Sequence, residues 1–212
     1  MRLMKASFLA LLVLISPGAQ AASTARRAYD DALARTPDIV NGAKLFEQCV
    51  ACHRSDGSGS PDQFVPAIAG QHWQVLTKQL LDYRYYRHWD LRMAGFSSTT
   101  HLRGPQEIAD VVVYVNSLQP QRASSTGPGE HLGQGAEIYT RRCASCHGNA
   151  AQGDGPKGYP RLAGQQYTFL VRQIHDAVAG RRPFSVTHVQ LLKSLEENDV
   201  QGVADHLSRL DP

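Results

Sequence analysis

The stretch Cys49-Val50-Ala51-Cys52-His53 is written a second time as Cys143-Ala144-Ser145-Cys146-His147, and together these hold every cysteine of the chain. C-x-x-C-H is the attachment signature of c-type haem. Two thiols three residues apart share one turn of helix, so each can form a thioether to one porphyrin edge. The histidine beside the second thiol then offers its imidazole to the iron. Other chemistries fit less well. A structural zinc site pairs its C-x-x-C units about 15–20 residues apart, whereas these lie 94 apart (143 − 49). A thioredoxin-like pair needs alternating strand and helix around it, and no such alternation is visible. A pair of disulfides accounts for neither histidine. The motifs therefore predict two covalently bound haem c groups, on Cys49, Cys52 and His53 and on Cys143, Cys146 and His147.

A chain of 212 residues has room for one or two domains, and an internal repeat decides for two. Gly135–Tyr139 answers Gly42–Phe46. Pro160–Gln165 answers Pro66–Gln71 at the cysteines' own offset of 94, and Val200–Leu207 answers Ile108–Val115 at an offset of 92. Such duplication means tandem copies of one small unit. Helical periodicity predicts helices over about Asn41–Cys52 with Asn41 as N-cap, about His72–Tyr86, and about Pro105–Leu118, with proline in the first turn of the last. The fold class expected is all-α. Residues 22–118 form the first domain and 133–212 the second. The Pro, Gly and Ser-rich stretch 119–132 joins them as a linker. Residues 22–38 read as a short helix or a loose arm.

Met1–Ala21 carries Arg2 and Lys5, an apolar run Ala6–Ile15, and Ala19-Gln20-Ala21 as a cleavage site. That pattern predicts an export leader, and its apolar run is too short to span a bilayer. Without the leader the chain keeps 20 Lys and Arg against 19 Asp and Glu. So even a balance argues against nucleic acid as a partner.

Function turns on what fills the sixth position of each iron. Met93 is the only methionine outside the leader and follows His53 by 40 residues, in the loop between the second and third helices. We take it as the axial ligand of the first haem. The second half has no methionine. Carrying Met93 across the repeat lands on Thr187 or Ser185, neither a good ligand, with His188 beside them in the matching loop. His188 is the expected sixth ligand of the second haem, with an open or water-bound iron as the alternative. His175 and His206 read as packing or surface residues. His88, in the run Tyr83-Arg84-Tyr85-Tyr86-Arg87-His88-Trp89, reads as part of a solvated helix end.

With both C-x-x-C-H motifs, Pro66 and Pro160 ahead of their A-G-Q turns, Met93 and the duplicated length, the chain resembles the dihaem cytochromes c of the c4 type. The resemblance implies two tandem class I cytochrome c domains, each wrapped around one haem. It also implies that the carbonyls of Pro66 and Pro160 accept the outer N–H of His53 and His147. A periplasmic electron carrier is expected from it, with redox partners such as a terminal oxidase, reductase or dehydrogenase and peripheral contact with a membrane complex. The family normally places methionine on both irons, so the second half departs from it. The rival expectation is a dihaem enzyme or enzyme subunit whose second iron is open or holds a displaceable ligand and binds a small substrate. No paired carboxylates, nucleophile–base pair or phosphate loop stands in the chain to make the polypeptide itself catalytic.

Overall fold

The computed structural model describes residues 17–212, with side chains from Ala22 onward. The expected leader therefore lies almost wholly outside the described residues. Helix α1, Pro17–Leu33, begins within it and continues past Ala21. Rather than a loose arm, α1 buries Ala25 and Ala32. It packs on two later helices of the first half, Trp73–Arg84 and Pro105–Ser117.

The first half continues through α2 (Ile39–Phe46), α3 (Val50–His53), α4 (Trp73–Arg84), α5 (Leu91–Phe96) and α6 (Pro105–Ser117). The second half repeats the order without a counterpart of α1. It runs through α7 (Leu132–Arg142), α8 (Ala144–His147), α9 (Tyr167–Val178), α10 (Val186–Lys193) and α11 (Glu197–Arg209). Extended pairing among the described residues is confined to isolated bridges, Ser60 with Val65 and Asp154 with Tyr159, themselves repeat counterparts. The fold is all-α, and no helix among the described residues is long and apolar enough to cross a membrane.

Two details differ from the sequence expectation. The helix predicted over Asn41–Cys52 starts earlier, because Asp38 accepts from the amides of Val40 and Asn41. Asn41 is thus inside the helix, and its side chain donates instead to the buried Asp110 at 2.8 Å. The same stretch is interrupted by a tight turn at Glu47–Cys49 before α3. In the second half Cys143, between α7 and α8, makes the matching break.

In each half the helix ahead of the C-x-x-C-H motif, α2 or α7, crosses the last helix, α6 or α11, at backbone contact. A Cβ on Gly42 would overlap the carbonyl of Asp110, and one on Gly135 would overlap the backbone of Gly202. The crossings bring Phe46 against Tyr114 at 5.5 Å between ring centroids, and Tyr139 against His206 at 5.6 Å. His206 is a packing residue, as expected. Around the first crossing Leu76, Leu81, Leu102, Ile108, Val112 and Val115 form one core. Leu170, Val203, Ala204 and Leu207 form the other with Tyr139.

The halves meet through bonds exchanged across a pseudo-two-fold axis. Gln71 donates to the carbonyl of Arg161 at 2.9 Å and accepts from its amide at 2.9 Å. Its counterpart Gln165 treats Ala67 in the same way, at 2.8 and 3.0 Å. A second reciprocal pair joins His72 Nε2 to the Gln152 carbonyl at 2.8 Å and Gln166 Nε2 to the Ser58 carbonyl at 3.0 Å. Stretch 119–132 is strapped to the second half. The buried Asp205 accepts from the amides of Gly127 and Gly129, and Arg209 donates to the Gly127 carbonyl at 2.7 Å.

Because each glutamine satisfies both polar groups of one residue in the other half, its loss leaves them unpaired at the seam. Replacing Gln71 and Gln165 together by alanine should weaken docking by on the order of 3 kcal/mol. In calorimetry the two halves should then unfold as separable transitions. A single transition at the unmutated temperature would count against the seam.

Candidate haem sites

In both halves the second cysteine and the histidine close a one-turn helix, α3 or α8, stopped by a residue of positive φ, Arg54 at 62° and Gly148 at 83°. The imidazoles turn inward, His53 being 6% exposed and His147 9%. Each places Nδ1 3.1 Å from a proline carbonyl, His53 on Pro66 and His147 on Pro160. A carbonyl only accepts, so Nδ1 carries the proton and Nε2 keeps its lone pair for a metal. Burial lowers the pKa of both imidazoles against the smaller opposing effect of these bonds, so both stay neutral. The loop is pinned behind them: Gly59 and Gly153 donate to the carbonyls of His53 and His147 at 3.1 and 2.8 Å. All four thiols are free of disulfides. Burial, reinforced by Cys52, pushes the Cys49 thiol up to about 11, and burial also raises Cys143.

The first site opens into a cleft of about 1170 Å³ of empty space, part of it open to solvent. Cys49, Cys52 and His53 line one side and Met93 and Phe96 another, with Leu76, Val112 and Val115 among the apolar walls. Met93 stands on the short helix α5, where a loop was expected. Asp90 caps that helix and accepts from the Met93 amide at 3.3 Å.

The second half presents its matching helix in the same way. His188 stands on α10, again a helix and not a loop, capped by Ser185, whose hydroxyl accepts from the His188 amide at 3.2 Å. Met93 and His188 are each the third residue after their cap, so the true register between the halves here is 95. Offsets of 94 and 92, taken from the flanking repeats, missed the equivalence because the segments before α5 and α10 differ in length by one residue. The ring of His188 lies 6.3 Å from that of His147, centroid to centroid, and is edged by Phe184 at 4.6 Å. Burial, and then the field of His147, lower its pKa and keep its lone pair available.

A Cytochrome c family model matches residues 39–119 and again residues 133–210. Cytochrome c4 of Pseudomonas aeruginosa is 33% identical over 152 residues, which cover 68% of this chain and 73% of that protein. The chain belongs to the cytochrome c family, in its dihaem c4 branch. The crystal structure of reduced recombinant cytochrome c4 from Pseudomonas stutzeri shares the fold with a TM-score of 0.73, over 83% of this chain and all of that one, at 23% identity. Thiosulfate dehydrogenase from Marichromatium purpuratum shares it with a TM-score of 0.71, over 82% of this chain and 40% of that one, at 24% identity.

Cytochromes of this family bind haem c covalently, and the residues fit that group. The first cleft offers apolar walls, two thiols on one turn, and an imidazole and a thioether on its lining. In the second site the spacing of the rings is itself a test. An imidazole nitrogen binds a transition metal at about 2 Å, and the ring centre lies roughly 1 Å behind it. Two imidazoles that shared one metal ion would hold their centroids about 6 Å apart, and the 6.3 Å between His147 and His188 leaves room for that.

The remaining histidines sort by contact. His175 pairs with Glu197 at 3.0 Å on the surface, as expected of it. His72, for which the sequence suggested no role, bridges the halves. His88 corrects an expectation: it is 3% exposed and stacks on Tyr83 at 4.2 Å instead of lying on a solvated helix end. The chain turns back after α4 and carries it under the seam, while Tyr86 and Trp89 stay outside. Burial first, then the fields of Arg182 and Arg172, push its pKa down to about 3. An unfolded chain, with histidine near 6.5, binds more protons between those values, so stability from His88 is complete above about pH 6.5 and is lost as pH falls toward 3. Urea midpoints at pH 7 and 5 should show about 2 kcal/mol of that loss. His88→Phe, which keeps a ring on Tyr83, should flatten the decline; an equal decline in the variant would clear His88.

Proposed function

We propose that this cytochrome is a periplasmic electron carrier with two haem c groups, exported by the leader Met1–Ala21. In this reading the first haem is held by Cys49, Cys52 and His53 with Met93 as sixth ligand. The second is held by Cys143, Cys146 and His147 with His188 as sixth ligand. The observation that carries the proposal is the His188 ring facing His147 at 6.3 Å, from the position that Met93 holds in the first half. With His188 held as a ligand by the Ser185 cap, the second iron would keep no open position for a substrate, which favours a carrier over an enzyme.

Bound haem supplies a one-electron iron couple. The chain's own residues do the rest. Pro66 and Pro160 hold the imidazoles in the metal-binding tautomer and raise their basicity. The apolar walls of the first cleft keep water from its interior, and α5 and α10 carry the sixth ligands. A thioether from Met93 would favour the reduced state more than an imidazole from His188 would, so the first site would have the higher potential. Haem groups held by Cys49, Cys52 and His53 and by Cys143, Cys146 and His147 would let the two halves, joined at the Gln71 and Gln165 seam, take up an electron and hand it on to a redox protein. A terminal oxidase, a reductase or a dehydrogenase meets that description, reached through peripheral contact with a membrane complex. Membership in the c4 branch supports such partners.

Low-temperature EPR of the fully oxidised holoprotein tests this, with spin quantitation, on the unmutated chain and on His188→Ala. Two low-spin irons are expected, one of them turned high-spin by the substitution. Carbon monoxide should bind the reduced variant and leave the reduced parent unchanged. A high-spin iron in the parent would remove His188 from the site and make the second haem a candidate reaction centre. In a redox titration the parent should show two separated waves, and equal potentials would count against unequal ligation.

A further inference from the structure

Arg172 belongs to the second half by sequence and to the first half's cleft by position. It stands on α9, yet its side chain lines the cleft of His53 and Met93. Phe64 of the first half and Phe169 of its own helix flank the guanidinium, at 5.8 and 5.4 Å from their ring centroids. The two carboxylates within ion-pair range are Asp90 at 3.9 Å and Asp176 at 4.0 Å, both beyond hydrogen-bond distance. Each is already engaged. Asp90 caps α5, and Asp176 takes a 2.8 Å bond from Arg181. Nε of Arg172 is buried with no hydrogen-bond partner.

The seam carries a second cation of this kind. Among the described residues no carboxylate lies within 4 Å of the Arg182 guanidinium, which bonds to the side-chain carbonyl of Gln173 and sits over Phe184 at 4.6 Å. Positive charge is therefore in surplus here, and the depressed His88 agrees with that. A half-buried guanidinium whose neighbouring carboxylates are already engaged has room for a further anion, and a buried donor without a partner calls for an explanation. The group assigned to this cleft supplies both an anion and acceptors, since haem carries two propionate carboxylates. The repeat counterpart of Arg172, Lys78, makes its ion pair within its own half, with Asp82, so the arrangement is not merely a product of duplication.

We propose that Arg172 reaches across the seam to bind a propionate of the haem held by Cys49 and Cys52, so that the second domain completes the first domain's site. This rests on the haem assignment above. Its consequence is electrostatic: a cation beside the carboxylate offsets negative charge near the iron, which disfavours the oxidised state and raises the first haem's potential. It also makes domain docking and the first haem's potential depend on one another.

The test is spectroelectrochemical titration of holoprotein, with a pyridine haemochrome count of haem per chain, on the parent, Arg172→Gln and Arg172→Lys. Arg172→Gln should lower the first haem's reduction equilibrium constant about tenfold, which is about 59 mV for one electron, and move the second haem less. Arg172→Lys should restore most of the difference, which a purely structural role for the side chain would not produce. The glutamine variant should also gain a pH dependence of the first potential between pH 5 and 8, from a propionate no longer held ionised by its partner. Fewer than two haems per parent chain would overturn the haem assignment and this proposal together. Two haems with an unshifted first potential, or an equal shift of both, would overturn the clamp alone.

Discussion

A buried imidazole that directs its only N–H at a proline carbonyl is the constraint on which both halves of this cytochrome are built. The bond at 3.1 Å, from His53 to Pro66 and from His147 to Pro160, fixes the tautomer and leaves Nε2 free to bind a metal. It holds only if the chain folds back within thirteen residues, which is what the loop bonds of Gly59 and Gly153 to the same histidines secure. It also needs α2 and α6, and α7 and α11, to close behind the motif, and Gly42 and Gly135 allow that by letting backbone meet backbone. The apolar cores follow from these crossings.

The turn that supplies the carbonyl also makes the seam. Gln71 lies five residues beyond Pro66, and Gln165 lies five beyond Pro160. These are the residues that exchange bonds with the other half. A displacement at the seam is therefore transmitted over a few residues to the group that orients each imidazole. Relative motion of the halves, which a Pro, Gly and Ser-rich linker would permit, is opposed by this exchange and by the attachment of stretch 119–132 to Asp205.

Against that shared frame the halves differ where it matters for chemistry. The third residue after the helix cap is methionine in one and histidine in the other, presented by the same backbone device. The cation at the matching place on the middle helix is Lys78 in one, turned to its own Asp82, and Arg172 in the other, turned into its neighbour's cleft. Duplication supplied symmetry, and side-chain chemistry then removed it. The resulting asymmetry separates the electrostatic surroundings of the two sites.

Much of this was legible in the chain alone. C-x-x-C-H has little freedom of interpretation, because two thioethers and an axial imidazole need those residue types at that spacing. The repeat offset of 94 announced tandem domains, and helical periodicity located α4 and α6 to within two residues at either end. The sequence could name Met93 and His188 as candidates by residue type, but it could not align them. One extra residue between α9 and α10 shifts the register, and only helix caps reveal which positions correspond. Nor could it show that His88 is buried or that Arg172 crosses to the other half. Both depend on contacts between residues 80 to 110 positions apart, and no local periodicity encodes those. Motif and period determined the cofactor and the fold class; packing at the seam decided which side chains surround each site.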